Sequence, residues 1–264
     1  FQNGKYTYAL KWFTKIKDTD VASSKRADYY FNKAYTLFAT KRYKQAEKLF
    51  KKVENESKYR YDASYYLGYI AYQLEDYDAA VENFNKVTTE KGDTTVGYFQ
   101  ADMNFKLGRF DKAIALARKS FANANENQTS ELSKIIGESY FNLKDYRSAL
   151  PYLEVYKGKR GKWSNTDFYQ LGYTHYRLGE YEKAIMQFNK IISGANAVAQ
   201  NAYYHLADCY LKTDKKTQAL NAFKSASAFK FDAVIAEDAL LNYARLSYEI
   251  GNAYENTSLL LTEF

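Results

Sequence analysis

A small side chain recurs along this sequence with a period that few folds can use. Ala9, Ala46, Ala80, Ala113, Ala149, Ala184 and Ala219 are separated by steps of 37, 34, 33, 36, 35 and 35 residues. A second small residue stands twelve positions upstream of the last six: Ala34, Gly68, Ala101, Gly137, Gly172 and Ala207. Such a period predicts stacked helix pairs, because one pair cannot bury its apolar face alone and needs neighbours of its own kind. Residues 168–191 show the unit. Leu171, Gly172 and Tyr176 share one face of a first helix. Tyr181, Ala184, Ile185 and Phe188 share one face of a second, at spacings of three and four. Gly179 and Glu180 punctuate the join, with glycine where a helix ends in a left-handed residue. Gly172 inside a helix costs about 1 kcal/mol against alanine. That cost predicts the close approach of a partner helix, with Ala184 as the small residue across the contact.

The pattern resembles the tetratricopeptide repeat over essentially the whole chain. The resemblance is carried by Tyr66, Leu67, Gly68, Tyr72, Tyr77, Ala80 and Phe84, and again by Phe168, Leu171, Gly172, Tyr181, Ala184 and Phe188. It departs at Val87 and Ile191, where the family usually has alanine, and in lacking the proline that often closes a repeat. The resemblance implies an all-α fold: a right-handed superhelical solenoid of about seven antiparallel helix pairs that binds along its concave, first-helix side. The expected organisation is a half-repeat at 1–20, full repeats at about 23–56, 58–90, 94–122, 129–158, 165–194 and 196–228, and an incomplete last repeat at 231–264. Gly4, Lys5 and Tyr6 align with Gly179, Glu180 and Tyr181, so the first helix is a second helix without its partner. Its open face implies a fragment of a longer chain, with any targeting segment upstream. Ser23 or Ser24 is expected to cap the next helix, and 123–128 to form a longer turn. The lysine-rich run 157–162 is expected to be a flexible, solvated linker. Pro151, inside a second helix, removes one backbone donor. The last helix, 254–264, is a poorer match, with Thr257 and Leu261 where alanine and phenylalanine are expected.

The net charge of +7 is uneven. Residues 1–60 hold 15 Lys and Arg against 6 Asp and Glu, and the remainder 23 against 25. A basic end attracts acidic proteins, nucleic acid or anionic lipid, but the simpler expectation is a lysine-rich solvated face. The aromatic-basic interleaving of a nucleic-acid module does not accompany it. No run approaches the roughly 18 apolar residues of a membrane span. Cys209 is the single cysteine, which excludes an internal disulfide.

Chemistry is sparse. His175 and His205 are the only histidines, both at core-proximal helix positions, and no paired cysteines or helical histidine pair offer a metal site. Cys209 reads as a small buried residue with only His205 as a nearby base. Gly158 and Gly161 frame lysines but follow no strand, so they make no phosphate loop. No catalytic site, metal or cofactor is expected. The surface remains. Counting back fifteen and eleven residues from each recurrent alanine gives Phe31 and Tyr35, Tyr65 and Tyr69, Tyr98 and Asp102, Lys134 and Glu138, Tyr169 and Tyr173, and Tyr204 and Asp208. An aromatic strip with scattered carboxylates suits a partner's extended peptide or amphipathic helix. Family members that grip a carboxy-terminal carboxylate use Lys and Asn at these positions, where this chain has mostly Tyr, so that clamp is not expected. The expected function is a non-catalytic protein-interaction scaffold. Segments 203–210 and 239–244 resemble bacterial envelope members of the family, which implies a periplasmic or outer-membrane setting. The alternatives are an RNA-binding helical repeat, which needs regular polar readers, and a regulatory domain of a larger enzyme. On this reading, replacing Tyr65, Tyr69, Tyr169 and Tyr173 with alanine abolishes partner capture and leaves melting nearly unchanged.

Overall fold

The computed structural model describes residues 6–91, 96–122, 124–191 and 194–251. The chain divides into two compact units, 1–128 and 129–264. The first holds α1 (Tyr6–Phe13), α2 (Arg26–Ala39), α3 (Tyr43–Phe50), α4 (Arg60–Gln73), α5 (Tyr77–Lys91), α6 (Gly97–Lys106) and α7 (Phe110–Phe121). α8 (Glu126–Asn142) begins just before the division, and the second unit continues with α9 (Tyr146–Val155), α10 (Asn165–Arg177), α11 (Tyr181–Phe188), α12 (Ala197–Lys212), α13 (Lys216–Ala228) and α14 (Ala233–Glu249). Among the described residues the only β pairing is an isolated bridge, Lys159 to Lys162. In each unit a helix packs on its successor: α2 on α3, α4 on α5 and α6 on α7, then α10 on α11, α12 on α13 and α13 on α14. The fold is all-α, built from antiparallel helix pairs.

One turn geometry makes the pairs. Lys41, Glu75, Gly108, Lys144, Gly179 and Asp214 all have φ between 57° and 78°. Each stands five residues before a recurrent alanine. In each case the next backbone N–H reaches back over the helix end: Arg42 N to Leu37 O at 2.8 Å, Asp145 N to Tyr140 O at 3.0 Å, Glu180 N to His175 O at 2.9 Å. This is the Schellman closure, which satisfies carbonyls that a helix end leaves open. Four of the six left-handed residues carry side chains, so these turns hold a conformation that costs a non-glycine residue about 1 kcal/mol.

The recurrent alanines from Ala46 to Ala219 are fully enclosed, whereas Ala9 in α1 is partly exposed. The expected contact across Gly172 is corrected. A Cβ on Gly172 would lie 2.9 Å from Phe188 Cδ1, so the ring and not Ala184 occupies that space. Gly68 meets Phe84 at 2.9 Å and Gly137 meets Leu153 Cδ2 at 2.8 Å in the same way. The rule is a small residue on the first helix and, sixteen positions later, an apolar side chain seated on it.

Several local expectations change. Ser23 and Ser24 do not cap α2; they open a short 3-10 turn, Ser23–Lys25, ahead of it. The polar run at 123–128 is shorter as a turn, because α8 starts at Glu126. Asn125 and Gln128 exchange backbone-to-side-chain hydrogen bonds at 2.9 and 3.0 Å, a reciprocal cap. The 157–162 run is the expected solvated turn between helices, with a backbone path fixed by hydrogen bonds. Gly158, Arg160 and Gly161 all adopt positive φ, and Gly161 N donates to Gly158 O at 3.1 Å. The last helix expected at 254–264, and Gly4 and Lys5, lie outside the described residues.

Because Lys144 and Asp214 carry a left-handed backbone that glycine adopts freely, Lys144→Gly and Asp214→Gly are each expected to stabilise the protein by about 0.5–1 kcal/mol. Gly179→Ala is expected to destabilise it by a similar amount. Urea unfolding monitored by circular dichroism reads both signs, and a loss of stability on introducing glycine contradicts the assignment.

Candidate protein-binding surface

All twelve residues of the expected strip are partly exposed, neither enclosed nor free. In the first unit their rings lean on the next helix pair. Phe31 stacks on Tyr59 with centroids 4.3 Å apart, and Tyr35 meets Tyr66 edge-on at 5.3 Å. Tyr69 touches Phe38 behind it at 5.3 Å and Phe99 ahead of it at 5.7 Å. Tyr65 meets the enclosed Phe84 at 6.0 Å, and Tyr98 lies against Phe99 at 5.6 Å. Edge-to-face contacts of this kind add to burial and align successive helices. Asp102 accepts a hydrogen bond from the Tyr72 hydroxyl at 2.7 Å and pairs with Lys106 at 3.0 Å. Burial, and then the Asp102 carboxylate, push the Tyr72 hydroxyl well above the ordinary phenol range.

In the second unit Lys134 reaches Asp167 at 2.7 Å and lies 3.8 Å from Glu138. Asp167 is enclosed, and it also closes the capping box of α10: Ser164 N donates to Asp167 Oδ2 at 2.7 Å and Asp167 N donates to Ser164 Oγ at 3.2 Å. Burial by itself would raise Asp167; hydrogen bonds from Lys134 and Ser164 outweigh it and hold the carboxyl below its usual range. Lys134 is therefore a structural cation joining α8 to the start of α10.

Tyr173 is the hub of the remaining residues. Its ring meets Tyr169 at 5.8 Å, Tyr146 at 5.8 Å, Phe141 at 5.8 Å and His205 at 4.9 Å, and Arg177 donates to its hydroxyl at 3.3 Å. Tyr169 also rests on Phe188 at 5.9 Å. Tyr204 donates to Asp238 Oδ2 on α14 and lies against Phe223 at 6.0 Å. Burial first, and Asp238 second, raise its hydroxyl to about 12. The Tyr176 hydroxyl is raised as well, by burial first and by the neighbouring Asp208 carboxylate second. A motif emerges that single-repeat reading misses: a tyrosine hydroxyl on one first helix bonds an aspartate on the next. Tyr72 to Asp102 and Tyr204 to Asp238 are its two instances here, and the Asp208 carboxylate is a charged neighbour of Tyr176 in the same relation. Of the polar members of the strip, Asp102, Lys134 and Glu138 are thus already engaged inside the fold.

Three further residues belong to this surface. Arg177 and Tyr146 flank Tyr173, with Arg177 over the Tyr146 ring at 4.8 Å. His205 sits among Tyr169, Tyr173, Tyr176, Tyr204 and Phe188, and its Nδ1 is buried without a hydrogen-bond partner. Their sequence signal was the aromatic run around them, which has no single register.

The arrangement is poor in reactive groups. Cys209 is enclosed, and burial pushes its thiol up to about 12, away from the nucleophilic thiolate. Burial also lowers His205 to about 4, so it is neutral at physiological pH and is a weak base for any such thiol. His175 is enclosed and its Nδ1 lies 2.7 Å from Glu180 Oε2, tying α10 to its turn. Among the described residues no group of three or more His, Cys, Asp or Glu side chains is arranged to hold a metal ion.

The ring contacts revise the alanine expectation. Tyr69 and Tyr169 brace neighbouring helix pairs, so truncating Tyr65, Tyr69, Tyr169 and Tyr173 together removes packing worth about 1–3 kcal/mol at each ring, and melting falls.

His205 yields a pH prediction. Its folded value, about 4, lies below the ordinary 6.5. Between those values the unfolded chain binds more protons, so stability rises with pH. The contribution is complete above about pH 6.5 and is lost as pH falls through about 4, up to roughly 3 kcal/mol in all. Urea titrations across that range are expected to steepen for the native chain relative to His205→Gln; parallel curves contradict the burial argument.

Comparison with known proteins agrees with this geometry. Family models described as Tetratricopeptide repeat match residues 27–56 and 53–93, and one described as Anaphase-promoting complex, cyclosome, subunit 3 matches residues 145–226. The TPR repeat-containing protein MJ1428 of Methanocaldococcus jannaschii is 31% identical over 129 residues, covering 48% of this chain and 22% of that protein. Response regulator aspartate phosphatase E of Bacillus subtilis is 25% identical over 200 residues, covering 66% of this chain and 52% of that protein. The chain therefore spans less than two thirds of either relative's length. Among solved structures, YrrB, described as a TPR protein with an unusual peptide-binding site, superposes with a TM-score of 0.61 at 18% identity, covering 72% of this chain and 96% of that one. The small residues under seated rings, the left-handed turns between paired helices and these matches lead to one conclusion: this chain is a tetratricopeptide-repeat protein.

Proposed function

We propose that this chain is a protein-interaction scaffold, and that the first-helix surface of its units receives a peptide or a helix of a partner protein. The observation that carries this reading is the shared partial exposure of the twelve strip residues, eight of them aromatic and each of those in contact with another ring of the fold. A braced aromatic ring binds with little loss of rotamer freedom, and a hydroxyl already bonded to a neighbouring carboxylate adds little desolvation cost. The peptide-binding description of YrrB supports the same reading by analogy of fold. Scaffolds of this repeat family are generally non-catalytic, and the raised thiol of Cys209 fits that class.

A protein partner is favoured over nucleic acid by how the basic first segment is used. Lys51 pairs with Glu47 at 2.6 Å, Lys52 with Asp18 at 3.2 Å and Lys58 with Asp28 at 2.8 Å. Among the described residues no helix is long and apolar enough to cross a membrane. The resemblance to envelope proteins rests on residues 203–210 and on Ala239, Leu240, Tyr243 and Ala244, of which Leu206, Ala207, Cys209, Ala239, Tyr243 and Ala244 are enclosed and the rest partly exposed, so it speaks mainly to packing.

Site-specific photo-crosslinking tests the proposal without removing a ring. A benzoyl-phenylalanine at Tyr98, Tyr173 or Tyr204 in the full-length protein is expected to trap one discrete partner protein. The same probe at the exposed Lys112 on α7 is expected to trap none. Equal capture from both surfaces, or capture of RNA, contradicts it.

A further inference from the structure

The lysine-rich turn and the cleft beside it are unused by the first-helix surface. A cleft of about 810 Å³ opens in the second unit between α9, α10 and α11. Trp163, Phe168, Leu171 and Met186 give it apolar walls, and none of the twelve strip residues lines it. Its size is that of a site for a few side chains. Met186, which lines it, is 62% exposed. An isolated apolar side chain on a surface needs no explanation, but one that lines a recess with aromatic walls extends that recess into a patch.

The edge of the cleft is basic and fixed in place. Gly161, at the tip of the 157–162 turn, borders it, and Lys190 lies on its far side over the Phe168 ring at 5.1 Å. Lys159, Arg160 and Lys162 are exposed, and none of them forms an ion pair among the described residues. Lys183 at the rim is already paired with Glu180 at 3.1 Å, and Glu154 is the carboxylate on the lining. The turn is held from both ends: Lys157 N donates to Ser130 Oγ at 2.9 Å and Trp163 Nε1 donates to Tyr156 O at 3.1 Å. Gly158 at φ 84° admits no side chain, since a Cβ there would lie 2.5 Å from the Lys162 carbonyl carbon. Three unpaired cations therefore stand on a turn whose fixed backbone borders the recess at Gly161, so their side chains can meet a ligand there at little further cost in backbone entropy.

We propose that this cleft is a second docking site, for an acidic partner peptide that carries a large apolar side chain among its carboxylates. The apolar side chain enters between Trp163 and Met186, and the carboxylates meet Lys159, Arg160, Lys162 and Lys190. A peptide fits better than an anionic membrane, because the floor at Leu171 and His175 is enclosed and only a projecting side chain reaches it. The Gln187 Oε1 already accepts from Lys190 Nζ at 3.0 Å, which leaves its amide nitrogen to donate to a peptide carbonyl. The site shares no residue with the first-helix strip and stands independently of it.

The test uses the full chain with Trp12→Phe, which leaves Trp163 as the single tryptophan reporter. The probes are the synthetic peptide Glu-Glu-Phe-Leu-Glu-Glu, its lysine counterpart, and vesicles of mixed phosphatidylcholine and phosphatidylglycerol. The acidic peptide is expected to give a saturable change in Trp163 emission that weakens as salt is raised. Combined Lys159→Glu, Arg160→Glu and Lys162→Glu substitutions, and separately Met186→Asp, are expected to weaken it by about tenfold or more. All four positions are exposed, so unchanged circular dichroism confirms that the fold is retained. No response to the acidic peptide, an equal response to the lysine peptide, binding unmoved by the substitutions, or a response to vesicles alone overturns the proposal.

Discussion

A ring resting on a helix surface that has almost no side chain is the contact on which the rest of this protein depends. Phe84 on Gly68, Phe188 on Gly172 and Leu153 on Gly137 are closer than any added Cβ would allow. Phe50 and Phe223 stand at the same distance along the sequence from Ala34 and Ala207. The seated side chains are essentially inaccessible, and so are the alanines four residues before them. Each seat therefore fixes both the separation and the register of two helices, because protein interiors are packed too densely to tolerate slippage. The helical cost of glycine, about 1 kcal/mol, is offset by burying a whole phenyl ring.

The turn acts with the seat. A left-handed residue and its reach-back hydrogen bond reverse the chain in three residues, which brings the second helix over the first with the seated side chain in register. Once pairs form at a constant pitch, the same positions of successive first helices come side by side within a unit. That is why tyrosine hydroxyls find aspartates 30 to 34 residues ahead, and why the strip rings meet the rings of the next pair. The surface offered to a partner is thus a by-product of stacking: rings that brace the fold remain partly exposed.

How much of this was legible in the sequence follows from how local each signal is. The pairs were visible because small residues recur in phase, and Gly108 and Gly179 marked their own turns. Lys41, Glu75, Lys144 and Asp214 did not, since their left-handed backbone is imposed by the hydrogen-bonded closure and not by their side chains. Ala184 was assigned to the wrong contact for a geometric reason. Helical side chains point toward the amino end, so the space over Gly172 is filled by a residue further along, Phe188. Asp102 looked ligand-facing because a single repeat does not show which hydroxyl the preceding first helix brings to it. The 157–162 run looked loose because its anchors, Ser130 and the Trp163 indole, lie outside it.

The most direct measurement is a double-mutant cycle on one seat, read by urea unfolding. Gly172→Val is expected to be strongly destabilising in the native chain, because the added side chain collides with the Phe188 ring. In a Phe188→Ala background the collision is gone, and the same substitution is expected to cost at least about 1 kcal/mol less. Additive effects, with no coupling between the two positions, contradict the claim that this ring on this glycine sets the helix pair.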